Sequence, residues 1–431
     1  MFLLILFLVV LIVAIMLAMP IAFSLLFTSE ITALVIGGTT TNPQIIAAQL
    51  LRGTDSVALM ALPFFILAGE LMNRSGMTHR LVDVCNVFVG RVRGGLGYVT
   101  ILAGLLFASL VGSAVAATAA LGAILIPMMA NAGYDRAKSA GLVASGNLGV
   151  HVMPPSVPLI IYGVAAGVSI KSLFMAGIAP AIYLTVVMCV MWFFISRRDN
   201  IRSNEPRPKP KEALKIVGRA LWALLLPVII IVGLRGGVFT ATEAGVIAVV
   251  YATLVGIFVY KGLNLKLIFR SLIQAAKLSA VVMFLAATAQ VAGYIMTISG
   301  LPQIIVDSMS PLVSQPILLN VMLMVIVLIV GTAMDVVPTI LIMTPIVLPL
   351  LDAAGIDPVY FGVIFVIANV LGLVSPPVGP VLNVACATGN VKMGEIIKPT
   401  MPYFAAQCAV VLLLAVFPQL VEVPMHWLLG T

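Results

Sequence analysis

The chain has 431 residues, of which 62% are hydrophobic and only 9% charged, far from the roughly 25% charged residues of a soluble domain. That balance sets aside a soluble globular protein and requires an integral membrane one. The net charge of +8 is concentrated between Arg197 and Arg219, which reads as a cytoplasmic loop obeying the positive-inside rule and not as a nucleic-acid surface.

Met1 to Leu26 reads as the first membrane helix. It carries no basic residue before Arg52, so it lacks the positive start of a cleavable signal. Thr28 to Ser56 is polar and mixed, with a short surface helix over Pro43 to Leu51. Val57 to Met72 is the second span, and Arg74, His79 and Arg80 place its exit in the cytoplasm. Glu70, close to that exit, reads as a solvated helix end. A second surface segment, Leu81 to Gly95, carries Arg91 and Arg93.

From Leu96 to Ala130 the middle is apolar but for Ser109, Gly112, Ser113 and Thr118. A re-entrant helical hairpin over about 96–131 fits better than two full spans, because non-helical backbone at depth is tolerated where it lines a cavity. After a basic turn at Gly133 to Lys138, the span over about 139–167 cannot be continuous. Its stretch Asn147 to Pro158 holds Pro154, Pro155 and Pro158. Adjacent prolines remove backbone donors and push their predecessors out of the α region. Phe174 to Ile195 leads back to the linker, and Ala220 to Leu234 forms one further span.

These segments divide into a first repeat over 1–196, a basic linker with its helix over 197–241, and a second repeat over 242–431. The second repeat opens with the capping-box spacing of Thr240 and Glu243. It continues through Ala244 to Tyr260, a surface helix Leu263 to Ile273, and a span Ala280 to Ile298. Its hairpin covers about 317–351 and its broken helix about 358–388. One fixed shift carries Asn147, Pro154, Pro155 and Pro158 onto Asn369, Pro376, Pro377 and Pro380. Upstream, Gly112 meets Gly331 only with a gap. Equivalent loops carry opposite charge patterns: Gly133 to Lys138 is basic where Gly355 to Tyr360 is not, and Lys392 and Lys398 stand where the first copy has only Lys171. Equivalent loops on opposite faces mean inverted-topology repeats.

Matching breaks in two halves point to a transport site. Unwound carbonyls coordinate a bare cation, and half-helix N-termini attract a carboxylate. Candidate sodium positions are Gly112, Ser113, Gly331, Thr332, Asp335, Gly372 and Ser375. Candidate substrate positions are Asn147, Gly149, Pro154, Pro155, Ser156, Asn369, Pro376 and Pro377. Asp335 is the only charge between Asp307 and Asp352. An acid at depth costs at least about 2.5 kcal/mol, so Asp335 is a functional residue, a helix cap, or both. His151 reads as a packed, hydrogen-bonded residue or a titrating carrier. Trp192, Trp222 and Trp427 read as interfacial belt residues, and the four cysteines as packing residues without metal-ligand spacing.

The runs Leu62-Pro-Phe-Phe-Ile-Leu-Ala-Gly-Glu-Leu-Met-Asn, Gly94-Gly-Leu-Gly-Tyr-Val, Gly112-Ser-Ala-Val-Ala, Pro154-Pro-Ser, Leu173-Phe-Met-Ala-Gly-Ile-Ala-Pro and Ser375-Pro-Pro-Val-Gly resemble the large membrane subunit of tripartite ATP-independent periplasmic (TRAP) transporters, over nearly the whole chain. The resemblance implies an all-α polytopic membrane protein of the ion-transporter superfamily, with two inverted repeats, each holding a re-entrant hairpin and a broken helix. It further implies sodium-driven, elevator-type import of a small organic acid, a sugar acid or C4-type carboxylate. Sodium ions are the coupling ions, and no organic cofactor is expected. The implied partners are a periplasmic substrate-binding protein, a separate small membrane subunit and membrane lipid, with no nucleic acid. The implied setting is the bacterial inner membrane, with a cytoplasmic N-terminus and a periplasmic C-terminus. Two departures stand out: the family commonly has Asp where this chain has Ala117, and Pro where it has His151. Two rival readings are a stand-alone anion or proton-coupled transporter and an intramembrane aspartyl hydrolase. The hydrolase needs two facing acids, and the first repeat offers none to match Asp335.

Overall fold

The computed structural model describes residues 2–37, 42–108, 113–148, 151–201, 209–376 and 379–430. These residues form helices joined by short connections, and among them eight helices are long and apolar enough to cross a membrane. The chain is an all-α polytopic membrane protein.

The N-terminal segment departs from expectation. In place of one helix over Met1 to Leu26 there are two, α1 (Phe2–Met16) and α2 (Ile21–Ile36). Ala18 takes a left-handed φ of 59°, and Pro20, which has no N–H to offer a preceding turn, starts the second helix. The polar residues Ser24, Thr28, Ser29 and Thr32 are fully buried on α2. Ser29 and Thr32 donate to the carbonyls of Leu25 and Thr28 one turn back, at 2.7 and 2.8 Å, which lets hydroxyls sit inside a packed helix face.

The rest of the first repeat comprises α3 (Pro43–Thr54), α4 (Ala61–Arg74), α5 (Met77–Val89), the hairpin arms α6 (Gly95–Ala108) and α7 (Ala114–Asn131), the broken helix α8 (Arg136–Gly146) and α9 (Val157–Ala166), and α10 (Ile170–Arg198). The linking helix is α11 (Pro210–Arg235). The second repeat has α12 (Ala241–Leu254), extended by a π-helical turn over Val255–Val259, then α13 (Leu265–Ile298), α14 (Leu301–Ser308) and the short α15 (Ser310–Val313). Its hairpin arms are α16 (Pro316–Ala333) and α17 (Val336–Ala354), and its broken helix is α18 (Pro358–Gly372) and α19 (Pro380–Gly389). It closes with α20 (Met393–Val416) and α21 (Gln419–Leu429). The capping box of Thr240 and Glu243 is formed in both directions.

Two further readings are corrected. The surface helix Leu263 to Ile273 and the span Ala280 to Ile298 are one 34-residue helix, α13, roughly 50 Å long at the α-helical rise. The buried residues Ser271, Ala275 and Ser279 recur every fourth position, so one inward face runs through the supposed joint. Lys266, Arg270 and Lys277 stay exposed on the other side. Trp192 is only 1% exposed and is no belt residue: its indole N–H donates to the Gly94 carbonyl at 2.7 Å and its ring stacks on Tyr134.

The repeat is visible in the packing. Within each copy the first hairpin arm lies on the first half-helix, α6 on α8 and α16 on α18. Between copies the second arm lies on the other copy's second half-helix, α7 on α19 and α17 on α9. Likewise α20 packs on α8, and α10 on α18. Exchanging the copies maps each pair onto its partner. A second group, α2, α3, α4 and α12, gathers around or beside α13, with α11 against α5 and α12.

Candidate functional site

Each broken helix ends its first half beside an asparagine that the repeat shift pairs with the other. Asn147 follows α8 as its C-cap residue, and Asn369 lies in the last turn of α18. Both are fully buried, and both leave Oδ1 and Nδ2 without a hydrogen-bond partner among the described residues. Burying an amide unpaired costs on the order of 1–3 kcal/mol. Here that cost is incurred twice, at equivalent places, where leucine would fit an apolar bundle at no such cost.

Hairpin arms close on these residues. A Cβ on Gly104 of α6 would stand 2.4 Å from Asn147 Oδ1. In the second copy, a Cβ on Gly331 would stand 2.5 Å from the Asn369 carbonyl oxygen, and one on Gly372 would meet the Gly331 backbone at 2.6 Å. Gly331, Asn369 and Gly372 are therefore assembled at one point. Gly331 and Gly372 have no side chain to offer; what they bring together is backbone.

The second arms start in register. Ser113 caps α7, its hydroxyl accepting from Ala116 N–H at 3.4 Å, and Asp335 caps α17, its carboxylate accepting from Val336 N–H at 2.8 Å. The fixed shift that pairs the asparagines pairs these two caps as well, so the gap inferred between Gly112 and Gly331 falls before the caps. The cap reading of Asp335 holds. Its side chain is exposed, so the cap leaves carboxylate oxygen available.

His151 lies at the first break. It is 2% exposed, its Nδ1 faces the Leu148 carbonyl at 3.2 Å, and it lies beside the backbone of Ser113 and within electrostatic reach of Asp335. The first break thus lies beside the tip of hairpin one and within electrostatic reach of the tip of hairpin two. Ser156 is committed locally: its hydroxyl donates to the His151 carbonyl and accepts from Leu159 N–H, capping α9. Pro154 and Pro155 are buried beside it. At the second break Ser375 is half-buried, with its hydroxyl toward the Pro376 carbonyl at 3.4 Å, and Thr332 bonds back to Ile329. Gly112, Gly149 and Pro377 lie outside the described residues.

Sequence reasoning missed Ser145, Gln407 and Gly104. Gln407 of α20 is 1% exposed and donates to the Ser145 carbonyl at 2.9 Å, two residues before Asn147. Gln407 Oε1 and Ser145 Oγ are again unpartnered. The signal was present: Gln407 is an amide amid a long apolar run. Among the described residues no three His, Cys, Asp or Glu side chains converge. A cation here would be held by carbonyl, amide and hydroxyl oxygens, with Asp335 the one nearby carboxylate.

The family described as "Tripartite ATP-independent periplasmic transporter, DctM component" matches residues 8–420. The 2,3-diketo-L-gulonate TRAP transporter large permease protein YiaN of Escherichia coli is 43% identical over 410 residues, covering 95% of this chain and 96% of that one. The sialic acid TRAP transporter large permease protein SiaM of Vibrio cholerae is 35% identical over 401 residues, covering 93% of each. Among solved structures, the Alcanivorax borkumensis YdaH transporter superposes with a TM-score of 0.69 over 95% of this chain and 98% of its own. At 14% identity it is a likeness of fold alone.

Proposed function

This chain belongs to the tripartite ATP-independent periplasmic (TRAP) transporter family as a DctM component, and on that premise we propose that it imports a small organic acid by sodium-coupled, elevator-type transport across the bacterial inner membrane. Members of the family are transport permeases, which removes the aspartyl hydrolase reading. The observation that carries the proposal is the repeat-related pair of buried, unpartnered carboxamides, Asn147 and Asn369. A carboxamide offers oxygen to a cation and N–H to an anion.

Sodium is held by oxygens at the two breaks, among them the Asn147 and Asn369 amides and the exposed carboxylate of Asp335. The substrate carboxylate takes the amide N–H groups and the N-terminal ends of α9 and α19, whose partial positive charge replaces a buried arginine. At low dielectric neither charge is stable alone. Each ion lowers the cost of holding the other, and this is the coupling. Ala117 leaves the first hairpin without an acid, so charge at the site is unequal between the repeats.

The hairpins and broken helices, α6–α9 and α16–α19, travel as one body against the group around α13. In this reading the basic turns after α4 and before α8 face the cytoplasm, and α20 leads from the basic turn at Lys392 to a periplasmic C-terminus. A periplasmic binding protein delivers the substrate, and a small membrane subunit braces the α13 group. A diketogulonate, a sialic acid and a C4-dicarboxylate permease are among the relatives, and the substrate is a sugar acid or C4-type carboxylate.

The test is uptake into proteoliposomes holding this chain and its small subunit, supplied with binding protein and labelled acid. The binding protein is first screened by thermal shift against sugar acids and dicarboxylates. Uptake should need both an inward sodium gradient and the binding protein. Uptake by a proton gradient without sodium would overturn the coupling, and uptake of free acid without binding protein would establish a stand-alone carrier.

A further inference from the structure

A cavity of about 790 Å³ opens where the N-terminal ends of α8 and α20 meet the C-terminal end of α10. All the acids that line it are engaged. Asp135 accepts from Lys138 N–H at 2.8 Å, Glu395 accepts from Lys392 N–H at 3.2 Å, and Asp199 takes the Lys138 ammonium at 2.6 Å. The other cations on its wall, Arg136, Arg198 and Lys398, make no hydrogen bond or ion pair among the described residues. Three uncommitted cations thus share one cavity.

The repeat supplies a control. Exchanging the copies carries Arg136, Lys138, Arg198 and Lys398 onto Pro358, Tyr360, Leu420 and Ala176. That mirror position is apolar and covered in part, with Leu420 38% exposed. Tyr360 and Ala176 are buried, and α21 lies along α10 with Val421 and Met425 buried and the Tyr183 hydroxyl donating to the Leu420 carbonyl. The fold's two-fold relation offers the same place at both faces; one is apolar and overlaid by α21, and the other is open and cationic.

A third observation concerns the approach to it. Val186, Val190 and Phe194 are 53%, 48% and 62% exposed. Their spacing of four puts them on one stripe of α10, and the next member of that stripe is Arg198, on the cavity wall. A free carboxylate or phosphate has no use for an apolar track that ends at a guanidinium. A phospholipid has both parts.

We infer that this cavity binds the phosphate of an anionic phospholipid of the cytoplasmic leaflet, with an acyl chain along Val186, Val190 and Phe194. Basic pockets between helices on that side suit anionic headgroups, and the volume lies in the range of small-molecule sites. The leaflet assignment rests on the orientation proposed above; the lipid assignment does not.

The experiment is native mass spectrometry of the delipidated protein, titrated with phosphatidylglycerol or phosphatidylcholine. Phosphatidylglycerol should be retained on the order of tenfold better, and the double variant Arg198→Gln/Lys398→Gln should lose that preference. The charge-keeping pair Arg198→Lys/Lys398→Arg should restore it, separating site loss from misfolding. Equal retention of both lipids, or an unaffected double variant, overturns the proposal. Full displacement by inorganic phosphate overturns it too, in favour of a site for free oxyanions. Labelling of Arg198→Cys from the periplasmic side would overturn the orientation while leaving the lipid site standing.

Discussion

Gly331 and Asn369 meet backbone to backbone: a Cβ on the glycine would lie 2.5 Å from the asparagine's carbonyl oxygen. Both atoms belong to packed helices, so neither can retreat cheaply. Gly331→Ala should lower stability by about 1–3 kcal/mol, the usual cost of overpacking, and abolish uptake by pushing α16 off the second break. Melting in detergent and proteoliposome uptake measure the two effects; normal uptake with a lowered melting temperature would detach Gly331 from the transport site.

Asn147 and Asn369 should show stability and function moving in opposite directions. Replacing a buried amide that lacks partners by an apolar side chain of similar shape is neutral or stabilising. Asn147→Leu and Asn369→Leu should therefore melt at or above the temperature of the parent chain while losing at least about tenfold in uptake, or about 1.4 kcal/mol in transition-state terms. A fall in melting temperature of either variant would identify it as a structural residue.

Asp335 has two roles that two substitutions separate. Asp335→Asn keeps an oxygen for the Val336 N–H but removes the charge, whereas Asp335→Ala removes both. Asp335→Ala should cost about 1 kcal/mol of stability as a lost cap and also weaken sodium dependence. Asp335→Asn should keep most of the stability and still raise the sodium concentration needed for half-maximal uptake. Unchanged sodium dependence in both would leave Asp335 as a cap alone.

Gln407 holds α20 to the end of α8 by one bond to the Ser145 carbonyl. Gln407→Leu leaves that carbonyl unpaired near the first break, which costs about 1–3 kcal/mol. Uptake should fall through a weaker substrate half-saturation, because Asn147 is two residues from the freed carbonyl. An effect on maximal rate alone would place Gln407 in the moving interface and not beside the substrate.

Trp192→Phe provides the contrasting case. It removes the indole donor to the Gly94 carbonyl and should lower stability by about 1 kcal/mol. Uptake kinetics and sodium dependence should stay unchanged, since Trp192 packs on α6 away from both breaks.

Local and repeated signals in this chain were readable from residues alone. The proline pairs located the breaks, Thr240 and Glu243 fixed the start of α12, and one shift located both copies. That shift even holds for Ser113 and Asp335, which have no chemical similarity, because each fills the same cap position. Signals that depend on what lies opposite a side chain were not readable. The stretch from Thr28 onward read as polar and mixed because polarity is counted per residue, whereas in the fold Ser29 and Thr32 bond to their own helix and α2 packs on α13.

Membrane spanning, the internal duplication and the place of each break are legible in the residues alone. Apolar length, proline chemistry and charge sign are properties of the chain in one dimension. The fold supplies the rest: Asn147 and Asn369 are sealed without partners among the described residues, Gln407 reaches Ser145 across 262 positions, and Arg198 and Lys398 share a cavity whose mirror position is overlaid by α21. Pairing and its absence are set by distances between segments far apart in the chain, and no local pattern encodes them.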